Sequence, residues 1–311
     1  MITTLTLNPC IDRTITIQGF QYGGLNRVIH TRSDFSGKGI NVSIAVHQLG
    51  EETECLGFNY ADDSAFVNES LARLGIRHRF IDIAGSLRTN IKVFDEQNSI
   101  MTEFNENGHY VEAEALDQLD RLVRERARAA GIIVFNGSVP EGVPKNIYRS
   151  LIAAVQGNGV KTVLDADGQL LLEGLEARPY FVKPNLYEFE SAFRIKVQSK
   201  RDIVRISREI IATGVRLVCV SLGQEGAVLV SGDEAWFAPA MAIKVKGVQG
   251  AGDSLVAGIC LAIQRELDLD QMLRYGVAAA SASLIREGTL LCTAADFQAM
   301  LPQVTIEKIT G

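Results

Sequence analysis

Several features that mark specialised proteins are scarce in this chain of 311 residues. Its five cysteines are scattered and include no C-x-x-C pair, which argues against a zinc knuckle and a disulfide framework. The formal net charge of −6 leaves no basic excess for general nucleic-acid binding. The sequence has no apolar run of membrane-spanning length and no basic segment ahead of an apolar stretch near Met1. We therefore expect a cytoplasmic protein with reduced thiols that binds neither nucleic acid nor membrane.

What the chain does have is the composition of a globular protein, with 47% hydrophobic and 22% charged residues. From about residue 51 onward, strand-like apolar runs such as 132–135 alternate with segments of helical spacing such as 147–155. This alternation predicts an α/β fold, with a mostly parallel sheet covered by helices on both faces. We interpret residues 1–311 as one α/β domain.

Two pairs of strand-like runs stand apart from that alternation. The first pair covers residues 14–17 and 27–31, and the second covers residues 88–94 and 99–104. Neither pair is followed directly by a helical pattern. A small isolated sheet buries too little surface to be stable alone. We therefore expect these runs, within about 12–32 and 88–106, to form a sheet that covers a site as a lid or pairs with a partner subunit.

The stretch Gly250-Ala251-Gly252-Asp253-Ser254 precedes a run of apolar residues at helical spacing. It is therefore predicted to be a tight turn at a helix N-terminus, where unpaired N–H groups and the helix dipole suit a phosphate. An aspartate beside bound phosphate makes chemical sense if it accepts the proton of an attacking hydroxyl. The alternative is that Asp253 merely caps the helix.

A second glycine-rich helix start is Ser36-Gly37-Lys38-Gly39-Ile40-Asn41-Val42, in which the lysine suits an anionic ligand. It is not a Walker A loop, since no Ser or Thr follows the lysine, nor a dinucleotide-binding fingerprint, since Val42 stands where the third glycine would be. Lys38 could instead be a solvated lysine at a helix start.

Polar side chains also gather at the predicted ends of strands. If those strands are parallel, their ends line one edge of the sheet, which is where ligands bind in open α/β sheets. The residues concerned are Asp12, Asn136, Ser138, Asp165, Asn185, Glu188, Ser221 and Asp253.

These motifs resemble those of the PfkB/ribokinase family of sugar kinases over nearly the whole chain. The resemblance rests on five stretches in the same order, namely Leu7-Asn8-Pro9-Cys10-Ile11-Asp12, Ser36–Val42, Lys183-Pro184-Asn185-Leu186-Tyr187-Glu188, Ser221–Gly226 and Gly250–Asp253. The stretch Asn26-Arg27-Val28 and the segment Leu87–Val93 are most similar to the phosphosugar branch of 1-phosphofructokinases and tagatose-6-phosphate kinases. The stretch Thr102-Glu103-Phe104-Asn105 resembles the 1-phosphofructokinases rather than the tagatose enzymes. Ser36, Asn136 and the Val248-Gln249 pair depart from the usual motifs.

The resemblance implies a ribokinase-like fold and phosphoryl transfer from ATP, with Mg²⁺, to a ketohexose phosphate. Fructose 1-phosphate is the expected substrate. The alternatives are a tagatose-6-phosphate kinase and a non-catalytic nucleotide or sugar sensor, and a homodimer through the lid is expected by analogy.

The resemblance also implies roles for individual residues. In catalysis we expect Asp253 as the base, supported by Gly250, Ala251 and Gly252. The expected sugar-phosphate site contains Asp12, Arg27, Gly37, Lys38, Gly39, Asn41, Arg88, Asn90, Ser138 and Asp253. The expected ATP site contains Lys183, Asn185, Ser221, Gly223, Gly226, Gly250, Gly252 and Ser254. Asn185 and Glu188 are the expected magnesium ligands, although Glu188 could simply face solvent and Arg27 could be an exposed strand charge.

Overall fold

The alternating strands and helices build a ten-stranded sheet in the computed structural model, which describes residues 1–286 and 291–310. The order of the strands across the sheet is β14-β13-β12-β11-β10-β9-β8-β1-β4-β5. These strands are β1 (Ile2–Thr6), β4 (Thr53–Tyr60), β5 (Arg77–Ile83), β8 (Ile132–Asn136), β9 (Lys161–Asp165), β10 (Phe181–Val182), β11 (Leu217–Ser221), β12 (Ala227–Val230), β13 (Ala235–Ala238) and β14 (Glu307–Lys308).

Seven neighbouring strands, from β11 to β5, run parallel, and β12 to β14 extend the sheet in antiparallel pairs. β1 lies between β8 and β4 within the parallel part, and all five of its residues are buried. β8 contains the apolar run Ile132 to Phe135, which is buried throughout. Such a continuous apolar run is expected in a parallel strand that is covered on both faces. The predicted α/β architecture is confirmed.

Ten α-helices among the described residues cover the two faces of this sheet. They are α1 (Lys38–Gln48), α2 (Ser64–Arg73), α3 (Ala113–Ala127), α4 (Ile147–Val155), α5 (Gly168–Glu176), α6 (Leu186–Phe193), α7 (Lys200–Ala212), α8 (Ala251–Gln264), α9 (Leu269–Leu284) and α10 (Ala294–Met300). None of the helices in the described part of the chain is long and apolar enough to cross a bilayer.

The predicted second sheet is present, with the strand order β3-β2-β6-β7. Its strands are β2 (Cys10–Ile17), β3 (His30–Ser36), β6 (Arg88–Asp95) and β7 (Ile100–Asn105). β2 begins earlier than predicted, so Asp12 lies within a lid strand rather than in a turn after β1. The strand predicted to begin at Arg27 begins at His30, because the preceding residues form an exposed loop.

Candidate active site

Two cavities of opposite character meet at the N-terminus of α8. The first, of about 200 Å³, is polar, and its lining includes Asp12, Lys38, Asn41, Arg88 and Asp253. The second, of about 360 Å³, lies on the other side of the helix start and is mainly apolar. Its lining includes Met241, Ile243, Leu255, Val277 and Ala280. One cavity therefore offers directed hydrogen bonds, and the other offers a hydrophobic slot.

The first turn of α8 contributes to both cavities. Gly250 caps the helix in the left-handed region with φ 70°, a conformation that glycine adopts without strain. Gly250 and Asp253 line the polar cavity, whereas Ala251 and Gly252 line the apolar one. The free N–H groups of this turn therefore lie between the two cavities, where a group passing from one to the other would meet them.

Asp253 is almost completely buried, with 7% of its surface exposed. Its Oδ2 accepts a hydrogen bond of 2.8 Å from Asn41 Nδ2. Burial raises the pKa of Asp253 to about 6, and the charge of Asp165 adds to this effect, while Lys38, Asn41 and Lys183 oppose it. A carboxyl group with such a pKa is ionised at neutral pH and is still a stronger base than an exposed aspartate, so it suits general base catalysis.

A cluster of charges lies beside Asp253 at the ends of the central strands. Lys38 Nζ is 3.3 Å from Asp165 Oδ1 and 3.9 Å from Glu188 Oε1, and Lys183 Nζ is 3.2 Å from the same oxygen of Asp165. Burial alone would raise the pKa of Asp165, but the two lysines hold it below its usual value. Burial would likewise lower the pKa of Lys38, yet the surrounding carboxylates raise it, so Lys38 stays charged.

The lid completes the polar cavity with a row of side chains from β2 and β6. Asn90 Nδ2 donates to Asp12 Oδ1 at 3.0 Å, and Arg88 Nη1 donates to Asn90 Oδ1 at 2.9 Å. Arg88 also donates through Nε and Nη2 to the carbonyl oxygen of Asn8, which fixes its guanidinium group. Beyond Arg88 a wider cavity of about 740 Å³ opens, and Ser138 and Lys145 contribute to its lining.

Residues 5–296 match the pfkB family carbohydrate kinase profile. The chain belongs to that family. It is 32% identical over 311 residues to the 1-phosphofructokinase of Borreliella burgdorferi, covering 99% of each chain, and 30% identical to that of Bacillus subtilis, covering 99% of this chain and 100% of the relative. The crystal structure of Escherichia coli phosphofructokinase-2 in complex with substrates and products superposes with a TM-score of 0.91 at 28% identity, covering 97% of this chain and 98% of that one. The protein is therefore a phosphotransferase with an alcohol group as acceptor, and membership of a kinase family implies ATP as a substrate.

Within this pfkB kinase, the expected magnesium ligands are engaged with each other. Asn185 caps α6 and accepts a hydrogen bond from the backbone of Glu188, while Glu188 Oε2 accepts one from the backbone of Asn185. Glu188 Oε1 faces Lys38, and the buried Asp165 Oδ2 has no hydrogen-bond partner among the described residues. Carboxylate oxygens of this kind fit Mg²⁺, which is held in kinases through waters and substrate phosphates as well as through one or two carboxylates.

Four of the expected site residues of the pfkB kinase have surroundings that the sequence did not indicate. Lys38 lines the polar cavity and also forms ion pairs with Asp165 and Glu188. Arg27 is exposed and lines none of the cavities found among the described residues. Gly39 packs on β1, since a Cβ there would lie 2.3 Å from Thr6 Oγ1. Ser254 is fully buried beneath the turn.

The other expected residues line the cavities or lie beside them. Ser221, Gly223 and Gly226 surround the apolar cavity together with Gly252, and Lys183 Nζ lies 3.8 Å from where a Cβ of Gly252 would be. The remaining residues surround the polar cavities, namely Asp12, Gly37, Asn41, Arg88, Asn90, Ser138, Gly250 and Asp253.

The polar residues that line these cavities and were missed by sequence reasoning include Lys92, Asn105 and Lys145. Lys92 and Asn105 lie in ordinary alternating strand patterns, where strict period two could have marked them as facing the same side as Asn90. Lys145 lies just before the first turn of α4 and carries no motif signal.

Proposed function

We propose that this protein transfers the γ-phosphoryl group of ATP to the C6 hydroxyl of fructose 1-phosphate, which yields fructose 1,6-bisphosphate. The observation that carries the proposal is the position of Asp253, a buried carboxylate between a polar cavity and an apolar one at a helix N-terminus. The names of the relatives from Borreliella burgdorferi and Bacillus subtilis support the choice of sugar phosphate.

Asp253 is the proposed general base. The attacking hydroxyl lies in the polar cavity, donates its proton to the Asp253 carboxylate, and forms the new bond to phosphorus as the bond to the leaving ADP oxygen breaks. The hydrogen bond from Asn41 holds the carboxylate toward the cavity. Phosphoryl transfer depends mainly on positioning and on charge stabilisation, and the N–H groups of the Gly250–Asp253 turn supply donors to the transferred oxygens.

The charge cluster gives Lys38 a different role from the one expected for it. Because Lys38 is held by Asp165 and Glu188 next to Asp253, its ammonium group is suited to the phosphoryl group in transfer rather than to the sugar's own phosphate. Lys183 lies close to Gly252 and suits the nucleotide's phosphates. The sugar's phosphate is then assigned to Arg88, whose planar guanidinium suits a phosphate, with Ser138 and Lys145 across the wider cavity.

The apolar cavity is the proposed adenine site. Its volume of about 360 Å³ and its aliphatic lining fit a flat, weakly polar base, and Gly223 leaves open space beside the loop after β11. Glu188 and Asp165 are the side chains that would hold Mg²⁺. Bound there, the ion would neutralise charge on the nucleotide phosphates.

The experiment that tests this function is a substrate panel for the purified protein with MgATP. Fructose 1-phosphate, fructose 6-phosphate and tagatose 6-phosphate are compared by their kcat/KM values, with ADP release as the readout. A preference of at least about tenfold for fructose 1-phosphate is expected. A preference for tagatose 6-phosphate would replace the proposed substrate, and ATP binding without turnover of any sugar would support a sensor instead.

We also propose that two copies of the chain associate through the lid. All six residues of β7 are exposed, and β7 is an edge strand of its sheet. Glu103 and Asn105 face the polar cavity, so strand alternation directs Ile100 and Phe104 to the outer face. These two side chains are 58% and 54% exposed. An unpaired apolar strand of this kind is expected to be covered in a soluble protein.

Sedimentation velocity tests this assembly. The wild-type protein is expected to sediment as a dimer, and the Ile100→Lys/Phe104→Lys double variant as a monomer. Tyr187→Lys, which changes a side chain that is 79% exposed and lies outside the lid, is the matched control and is expected to stay dimeric. A monomeric wild type would refute the proposed dimer without affecting the proposed activity.

A further inference from the structure

Lys92 forms a buried ion pair with Asp12 on the cavity face of the lid. Lys92 Nζ is 3.1 Å from Asp12 Oδ2, and the two side chains are only 11% and 7% exposed. Taking two such charges out of water is costly, and an apolar pair of similar volume often stabilises a fold as well or better. A small lid sheet therefore gains little stability from this pair, which suggests that the pair is there for the ligand.

Three donors hold the Asp12 carboxylate. Besides Lys92 on Oδ2, Asn90 Nδ2 donates to Oδ1 at 3.0 Å, and the Cys10 thiol donates to the same oxygen at 3.6 Å. Burial and the neighbouring Asp12 charge raise the pKa of Cys10 to about 12, so the thiol stays protonated and remains a donor. The carboxylate is therefore fixed in one orientation, with its remaining acceptor capacity available in the polar cavity that it lines.

The charges around Asp12 make it difficult for another cation to replace Lys92 as the ion-pair partner of Asp12. From β3, Asp34 lies opposite Asp12 in the sheet and is paired with Arg32, and Lys38 from α1 is paired with Asp165. The groups that share the polar cavity with Asp12 are Arg88 and Lys92 from β6, Glu103 from β7, Lys38 from α1 and Asp253 from α8. A sugar phosphate brings further negative charge into this cavity, so an unpaired Asp12 would repel it.

We propose that Lys92 is a positioning residue of the sugar site, which holds the Asp12 carboxylate in the orientation that accepts hydrogen bonds from two adjacent ring hydroxyls of the sugar phosphate. The row Arg88, Asn90, Asp12 and Lys92 then forms one rigid polar edge, with the phosphate at the Arg88 end. This inference rests on the proposed function for the identity of the sugar, but not for the role of the pair.

A double-mutant cycle tests the pair, using Lys92→Met, Asp12→Asn and the combined variant. Lys92→Met is expected to raise KM for fructose 1-phosphate by roughly 30-fold or more, because it leaves a buried carboxylate unpaired, while kcat and KM for ATP change by less than about threefold. The combined variant is expected to lose no more than Asp12→Asn alone. Lys92→Arg keeps the charge and is expected to recover most of the affinity.

The matched control is Arg13→Met, which removes a cation from the exposed face of the same strand as Asp12 and is expected to change nothing. Thermal melting and ATP titration establish that each variant is folded. Independent, additive losses in the cycle, or equal losses toward sugar and ATP, would overturn the proposal. If the wild type prefers fructose 6-phosphate, the proposed function fails but the cycle is measured with that sugar. A wild type that is inert with every sugar phosphate overturns both.

Discussion

The polar and apolar cavities on either side of α8 are built by different means. The polar cavity draws charged and amide side chains from the lid, α1 and α8, and several of them are held by hydrogen bonds such as the one from Asn41 to Asp253 at 2.8 Å. The apolar cavity is shaped by aliphatic side chains such as Ile243 and Val277, with few directed contacts. Substitutions in the polar cavity should therefore cost chemistry and sugar recognition, whereas substitutions in the apolar cavity should affect nucleotide affinity alone.

The largest effect is expected at the point where the two cavities meet. Asp253→Asn removes the proposed base while retaining an acceptor for Asn41, so kcat should fall by roughly 10²- to 10⁴-fold while ATP binding persists. Pre-steady-state ADP formation and calorimetric ATP titration measure the two quantities. Turnover close to that of the wild type would remove Asp253 from the chemistry.

The same variant should also be more stable than the wild type at pH 7. Burial raises the pKa of Asp253 to about 6 from 3.8, so the folded state holds a proton between these values that the unfolded state has lost. Stability therefore decreases as pH rises through this window, and the ionised group costs about 2–3 kcal/mol above it. Denaturant unfolding should show a gain of that order for Asp253→Asn at pH 7 and almost none near pH 3.

A smaller effect, confined to the sugar, is expected from Arg88. Arg88→Ala should raise KM for the sugar phosphate by roughly 10- to 100-fold, since a charge-assisted contact to phosphate is lost, and should leave KM for ATP nearly unchanged. Arg88→Lys keeps the charge but not the planar group, so its KM for the sugar phosphate should lie between those of the wild type and Arg88→Ala. An equal rise for both substrates would show that Arg88 supports the lid rather than the phosphate.

The converse effect is expected in the apolar cavity. Ala280→Leu adds aliphatic volume to the wall of the cavity, so it should raise KM for ATP by about tenfold through overpacking, without changing KM for the sugar. Ala280→Gly serves as the control, since it adds no volume. If Ala280→Leu instead impaired sugar binding, the two cavities would not be separate in function.

Local motifs explain why the catalytic turn could be predicted from the sequence. The turn at Gly250 and the helix that follows are encoded within a few residues, and so is the period-two alternation of β6. The partner of Lys38 could not be found in this way, because Asp165 is 127 residues away and comes close only through the packing of α1 on β1 and the pairing of β1 with β8 and of β8 with β9. The aliphatic wall of the apolar cavity, which includes Ile243 and Val277, carries no sequence motif.

The missed elements have the same explanation. β5 begins with Arg77-His78-Arg79 and gains its place by pairing with β4, and the two-residue strand β14 exists through its pairing with β13. α5 begins at a glycine, with a helical spacing too short to stand out. In each case tertiary contacts override a weak local preference. Arg27 shows the reverse error, since a strand-like run was predicted where the chain forms an exposed loop.

The smallest expected effect is on the pH dependence of activity, and it comes from the charge of Lys38 beside Asp253. Asp253 must be ionised to accept a proton, so kcat/KM should decline as pH falls below about 6, the value to which burial raises the pKa of Asp253. Lys38 lowers that pKa, so Lys38→Met should move the acid limb upward by roughly one pH unit, in addition to any loss of rate. Arg88→Ala is the matched control, because its loss of a cation from the same cavity should leave the limb in place. If instead Lys38→Met raised KM for the sugar phosphate without moving the limb, Lys38 would act on the sugar's phosphate, and its ion pair with Asp165 would be a resting contact that the substrate replaces.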